Sequence, residues 1–129
     1  MIVVNSKEEL KKLINQRIEE QGPNCDLNDI DVSRVEDMSL LFDSSPFDGD
    51  ISKWNVSNVK DMYGMFYDSQ FRGDISGWDV SSVECMDSMF EWSRFEGDIS
   101  KWNVSKVRNM VLMFVGSPLE GNEPDWYKE

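Results

Sequence analysis

One 24-residue string constrains this chain more than any other feature. Residues 50–73 read DISKWNVSNVKDMYGMFYDSQFRG. The same spacing returns as DISGWDVSSVECMDSMFEWSRFEG in residues 74–97 and as DISKWNVSKVRNMVLMFVGSPLEG in residues 98–121. Residues 26–49, DLNDIDVSRVEDMSLLFDSSPFDG, keep the Asp, the Val-Ser-x-Val-x-x-Met core, the Phe, the Ser and the Gly, with Ile30 in place of Trp. Self-similarity at a period of about 20 to 50 residues marks a stacked array, because a unit this small buries its apolar face only against its neighbours. The sequence therefore predicts one domain over residues 1–129, an α/β solenoid built as a right-handed stack of short parallel strands and short helices.

Two periods separate within each repeat. In Ile51-x-x-Trp54-x-Val56 the last two apolar residues alternate, which predicts a strand of about three to five residues. Ser57 stands where a helix N-cap belongs, and Val59, Met62, Met65 and Phe66 recur at steps of three and four, predicting a helix of about two to three turns. The chain then passes Phe71 and turns at Gly73-Asp74. Trp54, Trp78 and Trp102, with Met62, Met86 and Met110 and with Phe66, Phe90 and Phe114, become core ladders running from repeat to repeat. A ligand platform is the rival reading of the tryptophans, but their fixed place beside Val and Met favours the core.

Residues 1–25 read as an N-terminal cap. Met1–Val4 is a short β-type run, Ser6 and Glu9 form a capping box, and a helix over about residues 7–20 carries Leu10, Leu13, Ile14 and Ile18 on one stripe facing the first repeat. Gly22 and Pro23 end it. At the other end, Val111, Leu112 and Val115 replace polar residues of the earlier repeats, whereas the end of an array needs a polar cap. The tail, residues 122–129, offers Pro124, Trp126 and Tyr127 to fold back over them; otherwise that end joins two chains in a symmetric dimer or receives a partner.

The string D-I-S-x-W-[ND]-V-S-x-V-x-x-M-x-x-M-F resembles the repeat of the BspA-like bacterial surface proteins and mycoplasma-type lipoproteins, a family of unassigned biochemical function related to leucine-rich repeats. The resemblance covers residues 26–121 and rests on the Trp, the Met-x-x-Met-Phe and their spacing. It implies a leucine-rich-repeat-like solenoid that binds other proteins, often on a bacterial surface, and it brings no catalytic residue. The opening MIVVNSKEEL lacks the basic and apolar regions of a signal peptide, and neither a lipobox Cys nor a wall anchor is found. The expected location is therefore cytoplasmic, unless a leader has been removed. No apolar run approaches transmembrane length, so no membrane partner is expected.

Charge narrows the partners. The net charge of -12, from 25 acidic and 13 basic residues, argues against direct nucleic-acid binding, which needs clustered Lys and Arg. Residues 1–25 balance to zero, four basic against four acidic, so the excess lies on the repeats and tail. There is no histidine, which excludes Ser-His and Cys-His catalysis and most zinc sites. No phosphate-binding or nucleophile-elbow motif occurs. Carboxylate pairs arise from repetition and none is singled out. No enzyme activity, cofactor or metal is expected. Asp26, Asp50, Asp74 and Asp98 read as turn formers that accept backbone N–H groups, with calcium binding between layers as the rival. Cys25 and Cys85 lie more than two repeats apart, too far for a disulfide if layers advance by about 5 Å.

Candidate partner-binding residues come from two places. Asp29, Asp31 and Asp79 sit beside the inward residues of the expected strands, where leucine-rich repeats form a concave binding face. Tyr63, Tyr67 and Trp92 occupy positions that hold Ser, Asp, Glu or Gly in other copies, so packing does not demand them, and aromatics are enriched in interface hot spots. The expected function is a non-enzymatic protein-binding module. One alternative is a phage or mobile-element inhibitor, anti-CRISPR-like, whose acidic surface blocks a basic, nucleic-acid-binding host protein. The other is a self-assembling structural unit.

Overall fold

Ser6 starts the N-terminal helix because its hydroxyl accepts the Glu9 N–H at 3.1 Å, satisfying one of the donors a helix start leaves free. The Glu9 carboxylate reaches back to the Asn5 N–H, 3.3 Å, one residue beyond the reciprocal partner of a capping box. Helix α1 (Lys7–Gln21) ends at Gly22. Its Leu10 and Ile14 are fully buried, and Leu13 and Ile18 pack against the core from its margin. Ahead of it, β1 (Ile2–Val3) pairs in parallel with β2 (Ile30–Asp31) of the first repeat. The computed structural model describes residues 1–128, and among these α1 is the only α-helix and β1–β2 the only sheet.

The sequence predicts a short helix and a strand in every repeat, and the described residues differ. The Met-x-x-Met-Phe segments, residues 39–44, 63–68, 87–92 and 111–116, are successive turns. Two residues in each stand at positive φ: Leu40 and Ser44, Gly64 and Asp68, Ser88 and Trp92, Leu112 and Gly116. A left-handed residue every fourth position breaks an α-helix, at about 1–2 kcal/mol for each non-glycine. What offsets that strain is a second hydrogen-bond direction. In residues 61–69, hereafter an arch, the N–H groups of Met65, Tyr67 and Ser69 close turns onto Met62, Gly64 and Phe66. Between them, Met62, Gly64, Phe66 and Asp68 donate to the carbonyls of Cys85, Asp87, Met89 and Glu91 in the next repeat, at 2.9–3.0 Å. Met38, Leu40, Phe42 and Ser44 bond the second arch in the same way, and Met86, Ser88, Phe90 and Trp92 bond the fourth. The spacing that suits a helical face suits this ribbon too, because Met62, Met65, Phe66 and Ser69 still point inward and are buried.

Outside the arches, adjoining repeats meet through isolated parallel bridges, Asp26 with Asp50 and then Asp37, Asp61, Cys85 and Asn109 in series. Asx turns organise the rest: Asp26, Asp50, Asp74 and Asp98 each accept the N–H two residues on, at 2.8–2.9 Å. Asp31, Asn55, Asp79 and Asn103 do the same one column further along. Ser57 therefore receives a cap from Asn55 and begins no helix.

Aromatic side chains fill the interior in columns. Phe42, Phe66, Phe90 and Phe114 stack at 5.5–5.8 Å, nearly coplanar. Phe47, Phe71 and Phe95 run beside them at 6.0–6.3 Å. Trp54 and Trp78 stack at 6.4 Å, and each indole N–H, including that of Trp102, donates to a carbonyl 27 residues back: Leu27, Ile51 and Ile75. Trp126 adds itself to this column, 6.3 Å from Trp102 with its N–H on Ile99 O at 2.9 Å. Within the repeats, burial weakens toward that end, where Val104, Val107 and Met110 are half-buried.

Candidate functional site

The arches place two residues inward and then two outward, so the outward residues form columns 24 residues apart. Reading along the array, these columns are Ser39, Tyr63, Asp87 and Val111; Leu40, Gly64, Ser88 and Leu112; Asp43, Tyr67, Glu91 and Val115; and Ser44, Asp68, Trp92 and Gly116. Among the described residues, five of the eight large apolar side chains left exposed lie here, Leu40, Tyr63, Trp92, Val111 and Leu112, the others being Met1, Ile2 and Val3 at the N-terminus. Tyr67 and Val115 are half-buried. Two of the exposed residues lie over glycine. A Cβ at Gly64 would stand 2.6 Å from Leu40 Cδ2, and one at Gly116 would stand 2.4 Å from Trp92 Cε3. Trp92 thus rests on the last arch while still 56% exposed, which places it between the core and solvent.

The acidic candidates are occupied. Asp29 receives a two-pronged contact from Arg17, 3.0 and 2.7 Å, that ties α1 to the first repeat. This guanidinium holds the Asp29 carboxyl below the usual aspartate range. Asp31 and Asp79 close Asx turns, and hydrogen bonds from Ser33 and Ser81 lower their carboxyls too. Asp74 and Asp98 are lowered by Ser76 and Ser100, and Asp50 chiefly by Asn28. The Asx-turn carboxylates act on their own backbone, and Asp29 on Arg17. Burial pushes the thiols of Cys25 and Cys85 up, away from nucleophilic character, and both are free. Among the described residues, no three Cys, Asp or Glu side chains stand together as a metal cage. Among the described residues, no helix is long and apolar enough to cross a membrane.

The two ends of the arch column are chemically opposite. At the start, Lys11 Nζ donates to Leu41 O at 3.0 Å and Leu40 O at 3.3 Å. Lys7 Nζ contacts Ser39 Oγ at 2.8 Å and Asp37 at 3.3 Å. At the far end, Val111, Leu112, Val115 and Tyr127 line a shallow apolar pocket of about 160 Å³. Sequence reasoning joined the first three of these and passed over Leu40, Lys7 and Lys11. The signal for Leu40 was present, since it fills a column otherwise holding Gly, Ser and Leu. The lysines gave none, because their carbonyl partners belong to a turn that residue spacing presents as a helix.

A family model described as Mycoplasma protein of unknown function, DUF285, matches residues 9–126. The chain belongs to this family. The DUF285 match takes in α1 from its first turn, all four arches and the column residue Trp126. No curated protein and no solved structure matches the chain.

Proposed function

We propose that this DUF285 chain is a BspA-like, leucine-rich-repeat-related solenoid of four coils capped by α1, and that it serves as a non-enzymatic module for binding another protein. The observation that carries the reading is the gathering of Leu40, Tyr63, Trp92, Val111 and Leu112 on the outward columns of the arches, where the core does not need them. Aromatic anchors such as Tyr63 and Trp92, desolvated by a partner, supply a large share of the energy of an interface, and neighbouring aliphatic side chains exclude water around them. The acidic residues contribute less, being engaged in turns, so binding through this face withstands salt, whereas an acidic inhibitor of a basic protein is released by it.

The test is photo-cross-linking from p-benzoylphenylalanine placed at Tyr63 and, separately, at Lys101 outside the arches, in lysate of the native host at low and high salt. The reading expects a heterologous protein joined at position 63 in both salts and absent at 101. Equal labelling at both positions, or a partner lost at high salt, contradicts it.

A further inference from the structure

The hydrogen bonds between arches all run one way. Every second N–H of one arch points to a carbonyl of the next, so each arch shows carbonyl oxygens on its N-terminal side and N–H groups on its C-terminal side. At the first arch the carbonyl side faces α1: Lys11 donates to Leu41 O, one of the four carbonyls equivalent to those of Asp61, Tyr63, Met65 and Tyr67, and Lys7 contacts the Ser39 hydroxyl beside it. At the fourth arch the N–H side is open. Met110, Leu112 and Phe114 stand where Met86, Ser88 and Phe90 donate onward, and among the described residues their N–H groups have no partner. Only Gly116, the fourth of the series, is satisfied, by Glu120 Oε1 at 3.0 Å. Arg108 O, the counterpart of Glu84 O and Lys60 O, offers an acceptor at the start of this edge. The side chains along the edge are Val111, Leu112 and Val115 with Tyr127, the apolar pocket described above.

From this polarity we infer that the open edge of the fourth arch is a docking site for a polypeptide segment of the same repeat pattern, belonging to a partner whose own arch carbonyls are free. Three N–H donors in register with apolar side chains match an incoming arch, which supplies carbonyl oxygens to Met110, Leu112 and Phe114 and an N–H to Arg108 O. The contact continues the interface that already joins each repeat to the next. A second copy of this chain does not fit. Two such edges face to face set donor against donor, and the carbonyl edge of a second copy lies against α1, whose Lys11 already holds Leu41 O. The inference rests on the protein-binding reading and adds where one partner binds and what chemistry it presents.

The probe is a synthetic peptide of residues 50–73, added to the intact ¹⁵N-labelled chain. The expected result is saturable shifts and slowed exchange of the Met110, Leu112 and Phe114 amides, weakened about tenfold or more in Val111→Asp/Leu112→Asn, which removes two apolar contacts. Asn tolerates the positive φ of position 112, and the wild-type amide map stands without the variant. No shift at saturating peptide, shifts centred elsewhere, or the same shifts with the reversed sequence would overturn the inference. So would concentration-dependent protection of these three amides in the chain alone, which makes a second copy the occupant. Cross-linking at Tyr63 is independent of each of these results, so the broader reading survives or fails separately.

Discussion

Trp78 is the residue at which the internal account is most sharply exposed. Its ring is 4% accessible, stacks on Trp54 at 6.4 Å, leans on Phe66 at 6.3 Å, and donates its N–H to Ile51 O at 3.0 Å. Truncation to Ala leaves a cavity worth about 3–5 kcal/mol and removes one of the two hydrogen bonds on the Ile51 carbonyl, about 0.5–1.5 kcal/mol more, the Trp54 N–H remaining. Against a total stability of about 5–15 kcal/mol, that variant is close to unfolding and makes a poor reporter. Trp78→Phe is more informative, because it keeps an aromatic ring in the column and removes the N–H and part of the ring. It is expected to cost about 1–3 kcal/mol, from one lost indole hydrogen bond and the missing part of the ring, since the Ile51 carbonyl keeps the Trp54 N–H. With a urea slope of about 1–3 kcal/mol/M, the midpoint drops by about 1 M at unchanged slope. Trp92→Phe, at a half-exposed ring with no hydrogen bond through its indole nitrogen, is expected to stay within about 0.5 kcal/mol of wild type. Equal midpoints for Trp78→Phe and the wild type would refute the packing argument, as would a Trp92→Phe loss as large as that of Trp78→Phe.

Three further outcomes are open to measurement. Gly116→Ala forces a side chain into φ 75 and onto the Trp92 ring, so it is expected to lose about 1–2 kcal/mol for the backbone and more for the displaced indole. In a Trp92→Ser background only the backbone part should remain, and a double-mutant cycle with no coupling would contradict the contact. The Asx-turn carboxyls of Asp31, Asp50, Asp74, Asp79 and Asp98 are depressed by folding, so their contribution is full above the ordinary aspartate value of about 4 and is lost as pH falls through their lower folded values. Urea midpoints should fall on acidification below about pH 4, and Asp74→Asn, which keeps the acceptor but cannot titrate, should blunt the fall. Lys11→Met keeps the aliphatic stem and removes the ammonium from the first arch's carbonyls; a loss of about 0.5–1.5 kcal/mol is expected in urea unfolding, and none would mean that water serves those carbonyls as well.

The repeat is what made the interior legible. A 24-residue period fixes which residues are equivalent, and equivalence alone puts Phe66 beside Phe42 and Phe90 whatever the backbone does between them. The same period reaches Trp126, 24 residues after Trp102, but Asn122–Tyr127 shares little else with DISKWN, and the sequence suggests a cap folding back over Val111, Leu112 and Val115 rather than a further place in the tryptophan column. Local conformation was not legible in the arches. Met62, Met65 and Phe66 satisfy a helical spacing, and the alternative, turns linked sideways to the next repeat, becomes competitive only when a neighbour supplies carbonyls every second residue. Nothing within one repeat shows that neighbour's register. The outward aromatics Tyr63 and Trp92 were readable as departures from the repeat, and both are exposed. The acidic candidates Asp29, Asp31 and Asp79 were chosen for a strand face; Arg17 and the local turns engage them instead.

Amide hydrogen exchange on the free protein tests the central claim most directly, because that claim concerns which N–H groups are paired between repeats. Met62, Gly64, Phe66 and Asp68, with Met86, Ser88 and Phe90, are expected to exchange slowly and to collapse together on unfolding, while Met110, Leu112 and Phe114, their equivalents at the open edge, exchange fast. Slow exchange at Met110, Leu112 and Phe114 at high dilution, or fast exchange at positions 62 to 68, would contradict the one-way ladder on which the account is built.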